Sequence, residues 1–302
     1  MRSLKILTAA AAVGLPWTAA HGATVLLTTG HNGSWLNASW GTPAAAPTTG
    51  NDYVMVNYNS PTETIIRTSP AGGTGDGNTT FPGLSLSTSP NTRLLIKQLV
   101  NQGASIDGDP GTPGAQGTLI FNGGRSSFAP NSSTGAGRAG FNATTIQVNA
   151  PTIIDATDLG LDFIYNGALA GSGALTIQKE LPSMTNRSRT TFFSAGTYTG
   201  AITVNDLSTL DFDSPTPQFG GLVNLVGTGQ LNVDNDITFI FGTLTAGGTP
   251  VPEGSYTTAP SGFENALTFC AGATLTIAPI PEPTALASLG ALGLLMLRRR
   301  TV

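Results

Sequence analysis

From Leu84 to Ile277 the chain is built of runs of three to five residues in which apolar and polar side chains alternate, and small turn-forming residues separate them. Thr118-Leu119-Ile120-Phe121, Thr145-Ile146-Gln147-Val148, Ala174-Leu175-Thr176-Ile177, Ala201-Ile202-Thr203-Val204, Thr238-Phe239-Ile240-Phe241 and Thr274-Leu275-Thr276-Ile277 are of this kind. Period-2 alternation places one face of a strand in a core and leaves the other in water, so such runs fold as strands. Between them stand clusters such as Asn122-Gly123-Gly124, Gly171-Ser172-Gly173 and Gly227-Thr228-Gly229, whose residues supply the positive φ of tight turns. The one stretch with a helical pattern in this region is Thr92 to Asn101. The chain is therefore expected to be all-β.

Apolar centres recur every 8 to 13 residues in places, a rhythm that suits either a β-sandwich or a β-solenoid. Two observations favour the solenoid. The pattern Gly-x-Gly-x-Leu-x-Val/Ile occurs at Gly171 to Ile177 and again at Gly227 to Val233, each time as a turn followed by an alternating strand. Asparagine is also common at turns, where stacked coils form side-chain amide ladders. The expected body is a right-handed parallel β-solenoid, or β-helix, over residues 81–280. An antiparallel β-sandwich is the alternative, since no strict period survives counting. Residues 23–80, with Trp35 and Trp40, are expected to supply an N-terminal cap that covers the first coil.

The two flanks of this body have a different composition. Residues 1–22 carry Arg2 and Lys5, then an apolar run from Ile6, and end in Ala20-His21-Gly22. This is the pattern of a secretory signal peptide cut near Ala20 and Gly22. Residues 281–302 begin Pro281-Glu282-Pro283, continue without a charge from Thr284 to Leu297 and then place Arg298, Arg299 and Arg300 in a row. As a helix, residues 284–297 reach about 21 Å at 1.5 Å per residue, against roughly 30 Å of hydrocarbon. A short C-terminal apolar helix that holds the membrane transiently, with its arginines on the cytoplasmic side, is the expectation.

These last residues resemble a PEP-CTERM sorting signal, in which Pro-Glu-Pro precedes a short apolar helix and an arginine cluster. The resemblance covers residues 280–300, with Ile280 where valine is common. It implies the sorting motif Pro281, Glu282, Pro283, Arg298, Arg299 and Arg300, an exosortase-type membrane transpeptidase as partner and a Gram-negative host that makes extracellular polysaccharide. More loosely, the Gly-x-Gly-x-Leu motifs and the tryptophans of residues 23–80 are similar to the β-helical repeats of autotransporter-type passengers.

Charge narrows the function. Only 10% of residues are charged. Between residues 23 and 280 eight basic residues face sixteen acidic ones, which opposes the clustered Lys and Arg that a phosphate backbone needs, so no nucleic acid is expected. Cys270 is the sole cysteine and excludes an intramolecular disulfide. Its neighbours Leu267, Phe269 and Leu275 point to a buried apolar position. Once residues 1–22 are set aside, His31 is the one histidine, too few with Cys270 for a zinc site or for a nucleophile with its base. Asp107 with Asp109, Asp155 with Asp158, Asp211 with Asp213 and Asp234 with Asp236 lack the spaced ligands of a calcium loop and read as turn residues. No catalytic residue, metal or cofactor is expected. The leading reading is an exported envelope or extracellular-matrix protein of structural or adhesive role, whose partners are the secretion machinery, the transpeptidase, the membrane through residues 284–297 and extracellular polysaccharide. A carbohydrate-active enzyme or carbohydrate-binding module on a β-helix is one alternative, and would need a carboxylate pair flanking the sugar bond. An unprocessed tail-anchored envelope protein is the other.

Overall fold

The computed structural model describes residues 23–29, 33–34, 39–41, 44–45, 47–48, 51–57, 63–67, 85–97, 104–105, 118–129, 138–156, 162–179, 187–194, 197–240 and 244–279. Among them are twenty-six strands and no helix. In chain order these are β1 (Thr24–Thr29), β2 (Gly33–Ser34), β3 (Ser39–Trp40), β4 (Asp52–Val54), β5 (Thr64–Arg67), β6 (Ser85–Thr88), β7 (Thr92–Lys97), β8 (Ala104–Ser105) and β9 (Thr118–Asn122). There follow β10 (Arg125–Ala129), β11 (Arg138–Ala150), β12 (Thr152–Ala156), β13 (Asp162–Gly171), β14 (Leu175–Lys179), β15 (Ser188–Ser194), β16 (Ala201–Val204) and β17 (Ser208–Phe212). The last are β18 (Thr216–Phe219), β19 (Leu222–Leu225), β20 (Gln230–Val233), β21 (Ile237–Phe239), β22 (Leu244–Ala246), β23 (Thr249–Pro250), β24 (Gly254–Tyr256), β25 (Leu267–Phe269) and β26 (Leu275–Ile277).

From β4 to β17 the chain passes back and forth between a 12-stranded and a 10-stranded sheet, and each return lands beside the strand laid down on the previous visit, except that β8 and β9 follow one another in the 12-stranded sheet, β9 beside β6 and β8 against β11. From β18 a 4-stranded sheet joins the cycle. The pairings are parallel except at three places, where β3 lies against β1, β23 against β22 and β24 against β26. That pattern removes the antiparallel sandwich. The helical pattern at Thr92 to Asn101 also gives way: β7 is a strand held between β5 and β10, with Leu94 facing the core, and residues 98–101 lie outside the described set. Pairing on both sides outweighs a short local propensity.

Parallel register stacks like positions into columns. In the 12-stranded sheet Leu86, Leu119, Ile146 and Leu169 stand in one inward line. In the 10-stranded sheet Leu175, Ile202, Val223 and Leu244 form another. The inward side chains of all three sheets make one continuous core. Through it runs a spine of rings: Tyr165 stacks on Phe192 at 5.2 Å and 12°, Phe192 meets Phe212 at 6.5 Å, and Phe219 bridges Phe212 at 5.9 Å and Phe239 at 5.1 Å. Each such contact adds about 0.5–1.5 kcal/mol to the burial itself.

The Gly-x-Gly motifs have a steric origin. A Cβ at Gly171, whose φ is +101°, would lie 2.1 Å from the Val148 carbonyl oxygen, and one at Gly229 would lie 2.2 Å from that of Val204. Each glycine lets a turn press against the turn stacked beneath it. A single rung of the expected amide ladders joins neighbouring turns, where Asn149 Nδ2 donates to Asn122 Oδ1 at 3.0 Å.

Candidate functional site

The residues singled out for sorting and cleavage, Ala20, Gly22, Pro281, Glu282, Pro283, Arg298, Arg299 and Arg300, lie outside the described residues, as do Asp107, Asp109 and Asp158. Among the described residues no group of three or more His, Cys, Asp and Glu is placed to hold a metal ion. What the fold does assemble is two clusters of charge on the outer faces of its sheets.

The first lies on the 12-stranded sheet. Along β17, Leu210 and Phe212 point into the core, so Asp211 points outward, yet only 4% of it is exposed. Its Oδ2 accepts from Thr191 Oγ1 at 3.4 Å and lies 3.7 Å from Arg189 Nη1, both on the neighbouring β15. The same Arg189 nitrogen is 3.8 Å from Asp234 Oδ2, just past β20. Asp234 Oδ1 in turn accepts a hydrogen bond from the Cys270 thiol, just past β25. Four successive strands of one sheet thus contribute to a single row. Burial pushes the Asp211 carboxyl up from 3.8 to about 6, the charge of Asp234 pushes the same way, and Arg189 opposes both. The hydrogen bond to Asp234 raises the Cys270 pKa, because that bond favours the protonated thiol.

One expectation changes here. Cys270 is exposed rather than buried: of the apolar neighbours that suggested a core place, Leu267 and Phe269 belong to β25 before it and Leu275 to β26 after it, and the thiol sits on the turn between them. Arg189 belongs to strand β15, where its side chain is committed to two carboxylates.

The second cluster lies on the 10-stranded sheet. Asp155, its side chain fully buried, is paired with Arg125 Nη2 and lies 3.7 Å from Arg93 Nη2, while Arg93 Nε donates to Ser127 Oγ at 2.7 Å. On the inner side of the same strand β10, Ser126 stands in a column of apolar residues and accepts from Tyr165 Oη at 2.9 Å, which ties the two large sheets through the core. Burial raises the Tyr165 phenol well above its usual range, and the nearby Asp155 adds to the rise against the hydrogen bond to Ser126.

Two further aspartates satisfy the backbone of adjacent turns. Asp206 Oδ1 accepts from the Thr228 amide at 2.7 Å, and Asp236 Oδ1 from the Thr274 amide at 2.8 Å. Asn235 Nδ2 donates to the Phe212 carbonyl at 3.1 Å. Asp234-Asn235-Asp236 is therefore a structural turn whose three side chains hold neighbouring segments, not a free oxygen-rich loop. Sequence reasoning found the carboxylates by their pairing but missed Arg189 as their common partner, because parallel register brings Arg189, Asp211, Asp234 and Cys270 together across long stretches of chain. Compared with protein-family models, with curated proteins and with solved structures, the chain gives no match.

Proposed function

We propose that the protein is an exported right-handed β-solenoid with a structural or adhesive role in the cell envelope or extracellular matrix, sorted by its PEP-CTERM-like residues. The observation that carries the reading is the order Pro281-Glu282-Pro283, uncharged residues 284–297, then Arg298-Arg299-Arg300, with a signal-peptide pattern over residues 1–22. The proline pair bars helix before Thr284 and leaves an extended segment that a membrane transpeptidase could grip, while residues 284–297 hold the chain at the membrane until that step.

The solenoid itself is supported by the alternation of the chain between sheets with a one-strand advance at each visit, β8 apart. Antiparallel β3 at one end of the 12-stranded sheet supports a cap within residues 23–80, since a strand of reversed direction ends a parallel stack. The structural role is supported by how the charges are used: the described aspartates of both clusters and of the turns hold strands together. One outward column of the 10-stranded sheet, Thr176, Thr203, Asn224 and Thr245, is uncharged and hydroxyl-rich, a surface suited to hydrated polysaccharide.

Intact-mass measurement of the protein from the native host, in culture supernatant and in membranes, tests the reading. The expected mature form lacks residues 1–22 and roughly 284–302, with excess mass marking an attached group. A chain that keeps residues through Val302 and occurs in membranes alone would make the segment a permanent anchor and remove the transpeptidase from the account.

A further inference from the structure

We propose that Asp211 and Asp234 form a proton-operated clasp on the final turns of the stack, closed in mild acid and loosened as Asp211 loses its proton. This inference is independent of how the chain is sorted.

The geometry supplies three parts. Asp211 on β17 and Asp234 after β20 both lie within 3.8 Å of one nitrogen, Arg189 Nη1, so the two carboxylates compete for the same donor. Asp211 is buried, and its Oδ1 has no hydrogen-bond partner. An ionised Asp211 is compensated only in part, by Arg189, the Phe212 backbone and Thr191, and the burial of its carboxyl outweighs them, whereas a protonated one carries no charge to compensate. Finally, Asp234 is the acceptor for the Cys270 thiol, and this contact ties the turn after β25 to the turn after β20. With Asp211 neutral, the guanidinium charge serves Asp234 and Asp234 holds Cys270. With Asp211 ionised, two anions share Arg189 across adjacent strands, and repulsion falls on the more exposed member, Asp234, and on the thiol it holds.

Other charged residues stand near this site. Arg189 itself stands opposite Asp162 of β13 in register. Asp213, two residues on from Asp211, is exposed to solvent. Across the core, β14 brings Lys179, which shares the inward side of the 10-stranded sheet with Leu175 and Ile177, on the other side of β17 from Asp211. Asp206, after β16, is engaged by Thr228. The carboxyl of Asp211 rises from 3.8 to about 6 in the folded chain. The folded state therefore binds more protons than the unfolded one between these values. Its stabilising effect is complete below about pH 3.8 and is lost as pH rises through 6. For this one group the folded-to-unfolded ratio falls by about a hundredfold between pH 4 and pH 8.

The test combines two measurements on the intact chain. Carbon-13 NMR of the aspartate carboxyls should show Asp211 titrating near pH 6, and a midpoint below 4.5 would overturn the proposal without any substitution. Alkylation of Cys270 by a neutral maleimide from pH 5 to 8 should show, beyond the rise from thiolate formation, a step near pH 6. In Asp211→Asn that step should vanish and modification at pH 7.5 should slow severalfold. In Asp234→Asn the thiol loses its acceptor and should react faster at every pH. An unchanged step in Asp211→Asn would show that the carboxyl does not govern the clasp. Should that variant fail to fold, the titration of the unaltered protein decides.

Discussion

At the scale of single residues, most of the consequences concern groups that a parallel stack buries or crowds. Ser126 interrupts an apolar column and accepts from Tyr165, so Ser126→Ala leaves a phenol without its acceptor in the core. We expect a loss of about 1–3 kcal/mol by urea unfolding, with part of it recovered in the double variant Ser126→Ala/Tyr165→Phe, where both polar groups are gone. A failure of Tyr165→Phe to recover any stability would mean that the cost arises elsewhere. Gly171→Ala meets both a positive φ and a carbonyl oxygen at 2.1 Å, and should cost upwards of about 2 kcal/mol in the same assay. Alanine at Gly247 meets no neighbouring atom, so it pays only for its positive φ and should cost less.

At the scale of elements, the period-2 runs form strands where they are described, and most of their apolar positions face the core: Leu119 and Phe121 on β9, Leu175 and Ile177 on β14, Ile202 and Val204 on β16, while Ile120 lies on the outer side of β9, Ile240 follows β21 and Phe241 lies outside the described residues. Alternation is a local property, so it survives without knowledge of partners. What it does not say is which outward residues are covered. Asp211 and Phe193 both point out from the 12-stranded sheet, yet the aspartate is 4% exposed and the phenylalanine 49%. The expected outcome of truncation follows burial rather than residue type. Phe212→Ala, which removes one ring of the spine, should cost about 3–5 kcal/mol, while Phe193→Ala should change stability by less than about 0.5 kcal/mol. Equal losses by thermal or urea unfolding would contradict the assignment of the spine.

At the scale of the whole molecule, strands pair with their immediate neighbours in a sheet, β11 taking β8 as well as β9 and β13, so stability accumulates from neighbour to neighbour. A cavity at Phe212 should then raise amide hydrogen exchange in β15, β17, β18 and β20 and leave β7 and β10 protected; uniform acceleration along the chain would instead indicate one cooperative unit. The sum of charge along the stack also sets a pH dependence, and from Asp211 alone the stability should decline from pH 4 towards pH 8 rather than rise. Step length explains why the sequence shows no strict repeat. Thr203, Asn224 and Thr245 follow one another in a column with steps of 21 residues, but Leu86 pairs with Leu119 and Leu231 with Leu267. Turns of unequal length return the chain to the same register, which pairing enforces and spacing conceals. By itself the sequence determined the all-β character, the inward positions and the glycines of the tight turns, because alternation and positive φ act within a few residues. Only the tertiary structure decided that the pairing is parallel, that Cys270 faces solvent and that Arg189, Asp211 and Asp234 meet, because each of these depends on which distant strand lies alongside.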